Sequence, residues 1–153
     1  MNKEDYVQSV FPAVKRVFNS MFQKDVQRDT VEYAKEVTTD KVTISIGVTG
    51  ELQGSILFSF PKDLSLNLVE EMSMMEVDEL DTFVISAVGE LANIISGHTA
   101  TALNEQGYHC DIAPPQVIKG ESKVVSVDKK ENILMAVKTA EYDFKINISL
   151  QES

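Results

Sequence analysis

The sequence predicts an α+β domain in which an antiparallel sheet of about six strands carries three helices. Two features predict it. Apolar residues recur at helical spacing in three segments and alternate in strand fashion in several others. The strands follow one another through short polar links instead of alternating strictly with helices, which selects antiparallel pairing over a parallel, doubly wound sheet. A length of 153 residues suits one core, so residues 1–153 are read as a single domain.

The elements follow in order. Val7, Val10, Phe11, Val14, Val17, Phe18 and Met21 recur every three or four positions and predict a first helix over residues 6–21, with Pro12 kinking it or marking its start. Residues 31–37 and 42–48 read as strands, and the short link 38–41 predicts a hairpin between them. Gly50 and Gly54 flank a turn into a strand over 55–60 that Pro61 stops, which completes an expected three-stranded meander. Residues 63–75 predict the second helix, in which Met72, Met74 and Met75 fill gaps in the core. Residues 80–103 predict the longest helix, broken only by Gly89 and Gly97. After Pro114 and Pro115, residues 116–119, 123–127, 133–139 and 144–150 predict four more strands joined by hairpin-length links at 120–121, 128–132 and 140–143.

Composition excludes several classes of function. With 24 acidic and 14 basic residues the formal charge is −10. Such a surface repels a phosphate backbone, so nucleic acid and anionic membrane are poor partners, and a basic protein patch or an exposed lysine suits it better. Cys110 is the sole cysteine, which rules out an intrachain disulfide and a thiolate zinc cage. The N-terminus lacks a signal-peptide layout and no apolar run is long enough to span a bilayer, so a cytoplasmic protein without membrane insertion is expected. His109 and Cys110 are expected in a loop after the long helix, with a half-buried thiol.

The long helix carries the candidate chemistry. Counting about 100° per residue from Ser86, Glu90 falls at about 40°, Asn93 at about 340° and Gly97 at about 20°, so the four share one line. Glu79 and Thr82 extend this polar stripe toward the N-terminus, while Val84, Ile85, Val88, Leu91, Ala92, Ile95 and Leu103 occupy the opposite, apolar arc. His98, at about 120° on the same count, is a flank residue rather than a general base. A carboxylate and a carboxamide three residues apart can touch one target. Gly89 and Gly97 beside them leave room for another chain to approach. An E-x-x-N spacing arises by chance in many proteins, so by itself it selects no activity.

The surrounding segment is more specific. SAVGELANIISGHTATAL, residues 86–103, resembles the signature helix of the CheC/CheX/FliY family of response-regulator phosphatases: Ser or Asp, three residues, Glu, two residues, Asn. Ser86, Glu90 and Asn93 satisfy it. TGELQGSILFSF at 49–60, the helix after it and the Pro-Pro-x-Val-Ile-x-Gly run at 114–120 are similar to CheX in order and spacing, so the resemblance covers roughly residues 40–150. A single copy of the motif resembles CheX rather than CheC. EMSMMEVDEL departs from the pattern, since CheX-like chains tend to have a glycine there.

The resemblance implies a CheC-like fold, a homodimer, and hydrolysis of the aspartyl phosphate on a CheY-like response regulator. It assigns the positioning of the attacking water to Asn93 and a pairing with the regulator's active-site lysine to Glu90. Ser86, Gly89 and Gly97 become partner contacts. It implies no cofactor and no metal ligand in this chain, the Mg2+ ion belonging to the regulator. The competing reading is a docking module that binds or sequesters a response regulator or flagellar-switch partner without turnover. A purely structural homodimer built through edge strands is a third.

Overall fold

The computed structural model describes residues 3–34, 36–118, 124–126 and 132–153. Helix α1 (Lys3–Phe22) leads into strands β1 (Gln27–Tyr33) and β2 (Glu36–Thr38), then the hairpin of β3 (Val42–Gly50) and β4 (Leu52–Phe60). Helices α2 (Lys62–Ser73) and α3 (Thr82–Glu105) come next, followed by β5 (Cys110–Ile112), β6 (Gln116–Ile118), β7 (Val124–Ser126), β8 (Asn132–Lys138) and β9 (Asp143–Glu152). The main sheet is antiparallel and runs β1-β8-β9-β4-β3-β5, with β6 also on β3, while β2 and β7 form a separate two-stranded sheet. The α+β class, the three helices and the antiparallel sheet thus match the sequence reading.

The expected meander does not form. Strand β4 takes one side of β3, and β5 and β6 share the other, so no edge of β3 is left for the chain before it. Strand β1 instead adds to the far edge beside β8, and β2 pairs with β7. The predicted link over 38–41 therefore joins two sheets. Lys35, Lys119 and residues 120–123 and 127–131, which include the ends of predicted strands, the predicted link 120–121 and all but Asn132 of the predicted link 128–132, lie outside the described residues, and Asn132 itself opens β8.

Alternation decides which face of the sheet is covered. Val42, Ile44, Ile46 and Val48 of β3, Ile56, Phe58 and Phe60 of β4, and Phe144, Ile146, Ile148 and Leu150 of β9 are all buried in one core with the apolar sides of the helices. Phe144 stacks on Phe18 at 5.4 Å and meets Phe60 at 5.1 Å, fastening α1 to the sheet. Pro12 lies inside α1, so it does not mark the helix start. Gly54 lies within β4 at φ +146 and not in the turn, because a Cβ there would overlap the Ser149 carbonyl oxygen of β9. Cys110 opens β5 opposite Gly50 and is buried, where a loop was expected. The three-residue strand is too short for alternation to reveal it. Among the described residues no helix is long and apolar enough to cross a membrane.

Candidate functional site

Helix α3 is the hub of the helical layer: it packs on β3, β5 and β6 and touches both α1 and α2. Its start is fixed by Asp81, whose Oδ1 accepts the Val84 N–H at 2.9 Å. Val84, Val88, Leu91, Ala92, Ile95 and Leu103 are buried, so the apolar arc read from the sequence faces the core. Ile85 is only partly covered.

The opposite ridge is open. Ser86 and Glu90 are exposed, and Asn93 and Gly97 are half-buried. Glu90 and Asn93 are separated by about 4.5 Å of helix rise and about 60° of rotation, near enough to act on one group. Among the described residues, neither side chain makes a hydrogen bond or ion pair, so both are available to an incoming molecule. A Cβ placed on Gly97 would meet nothing within 4 Å.

Four residues fall elsewhere. Gly89 is buried, and a Cβ there would touch Pro115 and Ile44 at 3.8–3.9 Å, so the chain itself fills the space expected for a partner. The Pro114-Pro115 turn folds back on that side of α3, a tertiary contact that a helical wheel does not contain. Glu79 precedes the Asp81 cap and is not on the helix. Met74 and Met75 do not fill the core: α2 ends with Met74 in the left-handed conformation, and the two side chains are 90% and 57% exposed. His98 lies in a groove between α1 and α3 beside Ser9 and Arg16, about 80° round the helix from Glu90.

Charge is distributed unevenly around this ridge. Residues 63–118 hold ten of the 24 acidic side chains and no Lys or Arg, so they carry the whole formal charge of −10 and the rest of the chain is neutral. Sequence reasoning also passed over Phe83, which is 48% exposed in the first turn of α3. Seven residues before Glu90, it falls on the same stripe, and that spacing was the available signal.

A family model described as Chemotaxis phosphatase CheX matches residues 42–138, which include the ridge and four of the six positions across the main sheet. The chain belongs to the CheX family. This CheX-family chain is 36% identical over 118 residues to the CheY-P phosphatase CheX of Thermotoga maritima, a match covering 76% of the chain and 75% of that protein. Its fold is similar to chemotaxis protein CheX from Desulfovibrio desulfuricans, with a TM-score of 0.84 at 25% identity over 97% and 99% of the two chains. It is also similar to a chain in the CheX-CheY-BeF3-Mg2+ complex from Borrelia burgdorferi, with a TM-score of 0.78 at 22% identity over 96% and 98%. The CheC-like fold expected from the signature helix is therefore the fold observed.

Proposed function

We propose that this chain hydrolyses the aspartyl phosphate of a CheY-like response regulator, with Asn93 positioning the attacking water and Glu90 pairing with the regulator's active-site lysine. The observation that carries the reading is a carboxylate and a carboxamide, three residues apart on one ridge and without a partner among the described residues, in a chain 36% identical to a CheY-P phosphatase. The fold-sharing Borrelia protein was solved with CheY, BeF3 and Mg2+, which supports a regulator as the occupant of that ridge.

The chemistry asks little of this chain beyond placement. In hydrolysis a water oxygen bonds to phosphorus, the P–O bond to the aspartyl carboxyl breaks, and the water's proton leaves with inorganic phosphate. Transfer of this kind depends on in-line geometry and charge neutralisation more than on covalent help. A carboxamide can accept from the water and donate to a neighbouring oxygen, it does not titrate, and it adds no negative charge beside a phosphoryl group. Glu90, about one turn away, supplies the anion where a lysine can meet it. The magnesium ion that supports the transfer belongs to the regulator.

The test is phosphate release from CheY-like regulators of the same genome, phosphorylated with acetyl phosphate. Catalytic amounts of the chain are expected to accelerate release. Asn93→Ala is expected to abolish that acceleration with binding kept, and Glu90→Ala to weaken both. Unchanged release with Asn93→Ala refutes the reading, and slowed decay at stoichiometric amounts of the wild-type chain identifies a sequestering module instead.

A further inference from the structure

Among the described residues six large hydrophobic side chains are exposed, and three of them, Met74, Met75 and Phe83, lie within ten positions. Scattered exposed apolar residues are normal, but an aromatic ring left exposed on the stripe that carries a polar ridge marks a contact surface, and the two methionines are close to it in sequence. Phe83 is the informative one. It stands seven residues before Glu90, about 10 Å along the axis and about 20° round it, so its ring shares the face that presents Glu90 and Asn93. Phe83 is in the helix that anchors the core, yet its own ring is left half in water.

The occupant follows from reach and charge. A protein that brings an active site to Glu90 and Asn93 covers about 800 Å² of this surface, a disc of roughly 16 Å radius. Phe83 lies about 15 Å along the helix from Asn93, so a footprint of that size centred between Phe83 and Glu90 holds the ring well inside its edge and still covers Asn93. Glu76, Asp78, Glu79 and Asp81 all lie within the seven residues before it, and no Lys or Arg occurs from residue 63 to 118. A complementary surface is therefore apolar at its centre and basic at its rim.

We infer that Phe83, supported by Met74 and Met75, is the apolar anchor by which this chain docks the response regulator, and that the anchor's cleft on the regulator is bordered by Lys or Arg. The inference rests on the phosphatase reading and adds the residue that sets affinity for the partner. Aromatic anchors near the centre of an interface dominate affinity, whereas exposed carboxylates act mainly on encounter rate. The adaptable methionines fit the edge of such a cleft.

The experiment uses the full chain and the regulators above in two formats. Steady-state phosphate release gives kcat and KM, and titration against the BeF3- and Mg2+-loaded regulator at low and high salt gives Kd. Phe83→Ala is expected to raise KM and Kd about tenfold with kcat within twofold, Phe83→Leu to recover most of the loss, and added salt to weaken binding of every variant. KM and Kd within twofold of wild type in Phe83→Ala overturn the inference while leaving the phosphatase reading intact. So does loss of kcat at unchanged KM, or an altered oligomeric state by light scattering with unchanged KM, which would make the ring a contact between copies. A failure of the wild-type chain to accelerate release from any regulator removes the phosphatase reading and this inference together.

Discussion

Gly97 offers a prediction that separates stability from function. It lies in the interior of the 24-residue helix α3, and a Cβ added there has nothing within 4 Å to meet. Alanine in place of glycine inside a helix gains about 0.5–1 kcal/mol by restricting the unfolded chain, and no steric cost opposes the gain at this position. For a chain of this size about 1 kcal/mol corresponds to roughly 2–4 °C in Tm, so Gly97→Ala is expected to melt about 1–4 °C higher by circular dichroism. Gly97→Leu should fold equally well but crowd the ridge one turn from Asn93 and reduce regulator dephosphorylation. Gly89→Ala is the control, because its methyl would make ordinary contact with Pro115 and Ile44 and leave turnover unchanged. A lower Tm for Gly97→Ala would show that the helix or its open face differs from the geometry described. Full turnover in Gly97→Leu would show that no partner passes over that position.

Two further outcomes test other parts of the fold. The same glycine-to-alanine change at Gly54 should cost about 3 kcal/mol or more, since it combines a positive φ with overlap on the Ser149 carbonyl, and a denaturant midpoint at or above the wild-type value would refute that. Arg28 Nη1 bonds Glu4 Oε1 at 2.7 Å, and this hydrogen bond holds the Glu4 carboxyl below its usual pKa of 4.5. The stabilisation is present above the unfolded value and lost as pH falls through the lower folded value. The Tm gap between wild type and Arg28→Ala should therefore close as pH drops below 4.5, and a gap independent of pH would contradict the assignment.

Local pattern made the helices and the β3–β4 hairpin legible, because the periodicity of Val7 to Met21 or of Val42 to Val48 is written within one segment. Pairing over long sequence separation was not legible. That β1 would join β8 depends on β3 having both edges filled, a property of the whole sheet. For the site, the wheel located the ridge and its buried backing correctly, since both are properties of one helix. It failed at Gly89, where Pro115 from another segment closes over the position, and it gave no warning of Met74 and Met75, whose exposure follows from where α2 stops. The chemistry assigned to Glu90 and Asn93 came from the resemblance and not from spacing.

Because α3 divides its work between two sides, folding and activity draw on separate residues. Val84, Val88, Leu91 and Ile95 hold the helix in place, and none of them is on the ridge. Glu90 and Asn93 make no hydrogen bond or ion pair within the described residues, so either could be replaced with little penalty to the fold. A descendant that lost both would still express and melt as its parent does. In this architecture a well-folded protein is no witness to a working enzyme, and under the function proposed above it is the ridge side chains that record whether catalysis is still under selection.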